Sequence, residues 1–475
     1  MFAGETVDSL LDKAKTADGG KCIISFKVAR ASRLPRSANR ASRSIIVSYS
    51  GLYCPQDQVT LALVRAMKTT SNAETNARER VGVPESLVAA VSNRDKVTGA
   101  PHDFYRYPAR FSPVFAREAI KTFTEPGDFV LDPFCGGGTT LVEALSLGRR
   151  AAGIDVSSLA AFLARTKTTP ISVHDKREIA AWLAALERSE PRLNLDSYEA
   201  VDAETYYYLR NLPDEARTFF FWVFERLADL PKPRQQKFVR LILLGTGQWG
   251  LDCKNRVPMA SEFKTEFCRR LREGTGEFFD YATDVATANE LPRCRLSSMR
   301  RVINRSSENC GGDGRIPGSW LPAKLVLTSP PYPGVHVVYH RWQIMGRKET
   351  PAPFWLANQR DGAGESHYLL GPRDEDELAT YYQRLKSVFT SIRSLLDKNS
   401  IVVQLLAFSD PTWQLKTYLE TMRETGFVEA EADCVATAKV RGRIWREVPG
   451  RKWYANKRGE IPASKEVMLL HRLAT

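Results

Sequence analysis

The chain has 475 residues, 43% apolar and 26% charged, with a formal net charge of +13 and a pI near 9.3. This composition excludes fibrous and disordered classes, and the length allows a large core and more than one domain. Eight scattered cysteines with no C-x-x-C pair indicate neither a zinc site nor a disulfide framework, and no metal is expected. No apolar run is long enough to span a bilayer. The start, with Glu5, Asp8 and Asp12 before its first lysine, lacks a signal-peptide core, so a cytoplasmic protein without a membrane partner is expected. The basic balance suits a polyanionic partner.

Residues 1–100 read as a basic N-terminal extension. Seven basic residues and no acid lie between Lys21 and Ser50, a composition that fits an arm along a phosphate backbone or a solvated leader. Gln58–Met67 and Pro84–Val91 have helical spacing. In His102–Pro113 aromatic and basic residues alternate, and Val114–Phe123 reads as a helix.

The organising stretch is Phe129–Thr140. Phe129, Val130 and Leu131 form a short buried-strand run stopped by Asp132 and Pro133, and Gly136, Gly137 and Gly138 allow a sharp turn close to a ligand. Thr139–Leu145 opens a helix stopped by Gly148, and Arg150–Asp155 is a second strand ending in an acid. Strand, glycine turn, helix, strand and acid are the first half of a nucleotide-binding, doubly wound sheet, with Asp155 on ribose hydroxyls. No lysine follows the glycines, so a triphosphate cradle is excluded, and Asp132 suits a cationic amino-acid ligand.

Asp-Pro-Phe-Cys-Gly-Gly-Gly-Thr-Thr resembles the cofactor motif of the DNA amino-methyltransferases, which methylate exocyclic amines of cytosine or adenine. The resemblance implies S-adenosyl-L-methionine as cofactor, held by Asp132, Phe134, Gly136, Gly138, Thr139 and Asp155. A comparable His…Tyr-Pro-Ala-Arg-Phe stretch in that family lines the methionine end, which implies contacts from Phe111 and Pro113.

Ser157–Lys167 is the next crossover helix, and residues 101–172 form the cofactor-binding half. Residues 173–292 read as a helical insert and candidate target-recognition region, with helices over Ile179–Leu186, Phe219–Leu230 and Phe238–Leu244. Its aromatics (Tyr206, Tyr207, Tyr208, Phe219, Phe220, Phe221, Trp222) are read mostly as core. Gly245–Gly250 matches G-x-G-x-x-G but follows a helical run, so it reads as a helix-ending turn.

Residues 293–475 are expected to be the catalytic half. Lys324–Leu327 is a strand running into Ser329–Pro–Pro–Tyr332; Tyr381–Leu396 and Trp413–Thr425 are helices, and Ser400–Phe408 and Glu466–Leu473 are strands. An aryl amine is a poor nucleophile because its lone pair is delocalised. The Ser329 side chain and the Pro330 carbonyl can accept its two N–H bonds and turn the lone pair toward an electrophile, while Pro331 fixes the backbone. Tyr332 would stack on a base flipped out of double-stranded DNA. The tetrapeptide is similar to the family's catalytic motif, in which serine in first place is commonest among cytosine-N4 enzymes. The resemblance covers His102–Lys167 and Leu325 to the C-terminus.

Two departures stand out. The cofactor motif precedes the catalytic one, whereas many cytosine-N4 enzymes have the reverse order. The strand-end where relatives place an acid for the adenine amine is read at Arg295–Arg300, which offers only Ser297 or Ser298. The basic stretch Lys439–Arg458 is a candidate DNA contact through Arg441, Arg443 and Arg446. The expected protein is a bacterial α/β, Rossmann-like DNA methyltransferase favouring cytosine N4, with a cognate restriction endonuclease as an implied partner. An adenine-N6 enzyme, an RNA base-amine methyltransferase and a non-catalytic DNA-binding protein on this fold remain alternatives. Recognition sequence and oligomeric state are not readable.

Overall fold

The chain divides into two units, Met1–Asn76 and Ala77–Thr475. The computed structural model describes residues 79–474 except 109, 194–201, 335–340, 347, 362–367, 369, 372–377, 435–440 and 449–464. The basic leader and the Gln58–Met67 helix lie outside the described residues.

In chain order come β1 (Arg80–Gly82), α1 (Glu85–Ser92), α2 (Pro113–Phe123), β2 (Phe129–Asp132), α3 (Thr139–Ser146), β3 (Arg150–Asp155) and α4 (Ser158–Lys167). The insert supplies α5 (Val173–Glu187), α6 (Ala203–Leu209), α7 (Asp214–Leu227), α8 (Pro233–Leu251) and α9 (Ala260–Ala288). The chain returns through β4 (Arg300–Asn304), β5 (Leu325–Thr328), β6 (Trp342–Ile344), β7 (Lys348–Thr350) and α10 (Ala352–Ala357). It finishes with α11 (Leu378–Arg393), β8 (Ile401–Ala407), α12 (Pro411–Glu424), β9 (Phe427–Asp433), β10 (Arg441–Gly442), β11 (Ile444–Glu447) and β12 (Lys465–Leu473).

The main sheet runs β1-β9-β12-β8-β5-β2-β3-β4 and is mostly parallel; β12 lies antiparallel to β8 and β9. Strands buried on both faces favour apolar residues, which is why β2, β5 and β8 read as near-continuous apolar runs; the buried Gln404 of β8 donates to Tyr418 Oη at 2.8 Å. Alternate side chains enter different cores. Val130, Leu325, Leu327, Val403 and Leu405 pack with α1, α2 and α3, while Leu131, Val326, Val402 and Leu406 pack with α11 and α12. The fold is therefore a doubly wound α/β sheet, and its order reverses between β2 and β5, where a crevice opens at the carboxyl ends.

Three sequence expectations change. Residues 79–100 do not belong to an extension, because β1 pairs in parallel with β9 (Val81 opposite Ala432) and α1 packs into the same core as α2. The strand read at Arg295–Arg300 begins only at Arg300, because Arg293–Met299 forms a 3-10 helix. The Gly245–Gly250 hexapeptide lies within α8 and does not end it at Gly245. A Cβ on Gly245 would stand 2.0 Å from the Phe104 carbonyl oxygen, and one on Gly247 would stand 2.4 Å from the Trp342 ring. The glycines let α8 lie directly against the His102–Tyr107 segment and β6.

The insert shares one core with that segment: Phe219, Phe220 and Trp222 cluster with Phe104, Tyr105, Tyr107, Leu159 and Phe162. Most of the aromatic run is packing, as read; Tyr206 and Tyr207 are exposed. Asp175 in the first turn of α5 is fully buried and ties the insert together, accepting from Ser172, from Gln235 and from Arg234 Nε at 2.6 Å. These donors hold its carboxyl down at about 2 against the burial that would raise it. Among the described residues, no helix is long and apolar enough to cross a membrane, and no group of three or more metal-ligating side chains occurs.

Candidate active site

The crevice is a cleft of about 240 Å³ lined by Tyr107, Arg110 and Phe111, by Asp132–Gly137 and Thr139, by Asp155, by Ser306–Glu308, by Ser329 and Pro331, and by Tyr368 and Arg384. The sequence-singled Phe111, Asp132, Phe134, Gly136, Thr139, Asp155, Ser329 and Pro331 thus come together on one wall system. Gly138, Pro113, Pro330 and Tyr332 are not in the lining. Gly138 has φ +82° and caps α3, with Ala164 of α4 2.8 Å from where a Cβ would stand. Its glycine is required by backbone conformation and helix packing rather than by ligand approach. Pro113 is the first residue of α2, whose N-cap Ser112 accepts from Val114 N.

The glycine turn is closed from above by Tyr107. A Cβ on Gly137 would meet Tyr107 Cβ at 2.9 Å, and one on Gly136 would meet its ring at 3.2 Å. Tyr107 is held there by clamps on its own segment. Gln248 of α8 exchanges two backbone hydrogen bonds with Arg106, both 2.9 Å, and buried Lys167 donates to Tyr105 O at 3.1 Å. His102 contacts Glu143 of α3 at 2.6 Å, and Glu143 also accepts from Arg117 Nε at 2.6 Å. Burial is the largest influence on His102 and lowers its pKa despite the carboxylate.

Asp132 is 1% exposed and joins three elements, accepting from Thr140 Oγ1 (2.6 Å), Thr328 Oγ1 (2.7 Å) and Phe134 N (3.1 Å). Asp155 accepts from Gly136 N (2.8 Å) and Ser157 N (2.9 Å). Burial pushes both carboxyls up to about 6, against these hydrogen bonds. No ion pair to Lys, Arg or His is formed by either among the described residues. Neither carboxylate is thus neutralised by an ion pair among the described residues, an arrangement that favours a positively charged ligand.

Ser329 follows β5 directly. Its Oγ donates toward Leu405 O (2.9 Å) and lies 3.2 Å from Tyr332 Oη, which donates to Glu466 Oε1 at 3.1 Å. The Tyr332 ring is 8% exposed and packs among Leu370, Tyr381 and Phe408. It is a core residue in this structure, placed outside the cleft rather than presented as a stacking platform.

Residues 64–164 match the model of the DNA methylase family N6_N4_Mtase. This segment is of the N6/N4 DNA methylase family. It carries the cofactor-type loop and Tyr107, Arg110 and Phe111 of the cleft. The chain is 30% identical over 132 residues to the type II methyltransferase M.MvaI of Kocuria varians, covering 27% of each protein. It is 31% identical over 78 residues to the type II methyltransferase M.MjaII of Methanocaldococcus jannaschii, covering 16% of this chain and 15% of that one. The matched stretches thus span about a quarter or less of those relatives. Among solved structures, the rRNA methyltransferase aviRa from Streptomyces viridochromogenes covers 78% of this chain and 90% of its own at 13% identity and TM-score 0.28, a likeness that carries no argument.

Around the methylase segment the structure adds residues that the sequence did not single out. Glu308 follows the true end of β4 and lines the cleft, whereas Ser297 and Ser298 lie in the 3-10 helix before β4 and are not in its lining. Arg110 lines the opposite side, donating to His102 O at 2.6 Å, and Arg384 reaches the cleft from α11. Correct placement of β4 would have exposed Glu308; Arg384 had no signal beyond its helix. The expected DNA contact in Lys439–Arg458 is corrected in part. Arg443 pairs with Glu429 at 2.5 Å and Arg446 Nε with Glu466 at 2.6 Å, so both arginines brace the sheet edge. The Arg441 side chain and residues 449–458 lie outside the described ones.

Proposed function

We propose that this protein transfers a methyl group from S-adenosyl-L-methionine to the exocyclic amine of a base flipped out of double-stranded DNA, with cytosine N4 as the favoured target. The observation that carries the reading is the meeting, at one strand-order reversal, of Asp132 and Asp155, neither in an ion pair among the described residues, with Ser329 of Ser-Pro-Pro-Tyr. The residues present fit the cofactor. Asp155 would accept from ribose hydroxyls, Glu308 from the adenine amine, and Arg110 would face the amino-acid carboxylate. Asp132 would contribute negative potential toward the ammonium and sulfonium, and Phe111, Phe134 and Thr139 would fill the space between. When bound, the cofactor supplies an electrophilic methyl group.

Ser329 Oγ and the Pro330 carbonyl would accept the two amine hydrogens, which localises the lone pair on nitrogen as it becomes tetrahedral. Serine in first place favours cytosine N4; adenine N6 is the second reading and uses the same acceptors. The DNA methylase family model over residues 64–164 supports DNA as substrate, and we take a cognate restriction endonuclease as partner and a cytoplasmic site of action as part of the same proposal. The exposed side of the 173–292 insert, which carries Tyr206 and Tyr207, is the proposed target-recognition surface, since the rest of its aromatic run is committed to the core.

Incubation with labelled cofactor and double-stranded DNA, followed by mass spectrometry of the released nucleosides, should show N4-methyldeoxycytidine. N6-methyldeoxyadenosine would correct the base and preserve the chemistry. DNA that stays unlabelled, while RNA offered in a parallel incubation is labelled or neither is, would remove the reading.

A pH dependence follows from the two carboxyls near 6. A cation binds the ionised forms, so cofactor affinity should rise as pH is raised through about 6 and level off above it. For the ligand-free fold the sign is opposite. A carboxyl raised above its unfolded value contributes most below the unfolded value near 4, and that contribution is lost as pH rises through about 6. Asp155→Asn should weaken cofactor binding by about 1–3 kcal/mol and flatten the profile. Calorimetric affinity that stays constant from pH 5 to 8 in the unmutated protein would contradict the assignment.

A further inference from the structure

Glu466 lies on β12, outside both sequence motifs, yet its carboxylate is 1% exposed and directly behind the tetrapeptide. Oε1 accepts from Tyr332 Oη at 3.1 Å, and Oε2 accepts from Arg446 Nε at 2.6 Å. Arg446 stands opposite Glu466 in the β11–β12 ladder and also donates to Val91 O in α1 at 3.1 Å. The chain of contacts therefore runs Arg446, Glu466, Tyr332, Ser329, Leu405 carbonyl.

Proton accounting gives this chain a direction. A guanidinium only donates and a carboxylate only accepts, so the Tyr332 hydroxyl hydrogen is drawn to Glu466. Tyr332 can then offer Ser329 only a lone pair. Ser329 has a single hydrogen, and both neighbours behind it, Leu405 O and Tyr332 Oη, take a hydrogen rather than give one. The Ser329 oxygen thus keeps its lone pairs for the cleft, which is what a group receiving an amine N–H requires.

We propose that Glu466, held by Arg446, is a positioning residue that keeps Ser329 a hydrogen-bond acceptor toward the target amine by drawing the Tyr332 proton away from it. The proposal rests on the amine-methylation reading above. Tyr332 is the relay in this account.

The isosteric change Glu466→Gln tests the direction rather than the packing. Arg446 cannot accept, so the new amide turns its oxygen to Arg446 and its NH₂ to Tyr332 Oη. The Tyr332 hydrogen is then pushed onto Ser329 Oγ and occupies a lone pair. Single-turnover methylation should slow about tenfold, the size of one misdirected hydrogen bond, with cofactor affinity unchanged. Adding Tyr332→Phe to Glu466→Gln removes the misdirected donor and should recover part of the lost rate, so the double variant is faster than Glu466→Gln alone. A role in packing alone predicts the reverse, because the second change removes a further contact.

If Glu466→Gln does not fold, Glu466→Leu with Arg446→Met removes the buried pair as a unit, which sheets often tolerate. The same slowing and the same recovery on adding Tyr332→Phe are expected there. An unslowed rate in the Glu466 variants, or no recovery in the combination, overturns the proposal while the amine-methylation reading stands. An unmutated protein that methylates no base amine removes both.

Discussion

Ser329→Ala should lower the single-turnover methylation rate by about 10²–10³-fold, the usual loss when one polar group aimed at the transition state is removed. Cofactor affinity should stay within about twofold, a change below ~0.5 kcal/mol. In the proposed chemistry the serine oxygen would accept from nitrogen as nitrogen becomes tetrahedral, so its interaction would strengthen on the way to the transition state and appear in kcat rather than in binding. The site can tolerate the change structurally, because Ser329 is only half-buried and the change removes a single oxygen whose partners are the Leu405 carbonyl and Tyr332 Oη. Rapid-quench methylation beside calorimetric cofactor titration measures both quantities. A normal rate would make the tetrapeptide a turn after β5 and nothing more.

The largest effect on stability is expected at Gly245→Ala. Its Cβ would be 2.0 Å from Phe104 O, a backbone atom that cannot rotate away, so α8 and the His102–Tyr107 segment would have to separate. Overpacking of this kind costs about 1–3 kcal/mol and occasionally more, and a contact this short against backbone belongs at the upper end. The loss should extend to the cofactor, because the same segment carries Tyr107 over the glycine turn through the Gln248–Arg106 clamp. Gly276→Ala in α9 is the matching control: a Cβ there meets nothing within 4 Å, and the change should be neutral or stabilising by about 0.5–1 kcal/mol. Denaturant unfolding of the two variants distinguishes packing from helix propensity. Equal stability of both would show that α8 does not rest on Phe104 as described.

The buried strands β2, β5 and β8 were legible because a strand covered on both faces is predominantly apolar, and the glycine turn because sharp reversal beside a strand has few residue solutions. The strands that escaped were those whose burial comes from partners far along the chain. Arg300 and Arg301 give β4 a polar look, although Arg300 satisfies its guanidinium on Thr168 O and Thr169 Oγ1. β9 reads Phe-Val-Glu-Ala-Glu-Ala-Asp, with Glu429 neutralised by Arg443. β1 has three residues, too few for a period. At the site, Asp132 and Ser329 were found by type and position. Glu308 was hidden by a four-residue error in the preceding strand-end. Arg110 stood in a noted motif with no role assigned to it. The interior placement of Tyr332 depended on Glu466, 134 residues away, which no local pattern could indicate.

β12 lies between β8 and β9 although it follows both in sequence. Until it arrives, β8 and β9 each present an open edge, and no hairpin or crossover between them can close the gap. Such non-local closure is slow and leaves edges exposed to mispairing. The strand that ends this interval also brings Glu466 to Tyr332. A nascent chain can thus form the crevice between β2 and β5, and meet cofactor there, before the polarity of Ser329 is set. Assembly order would make the reacting end of the site the last part to mature, and a partly made protein a cofactor binder without turnover.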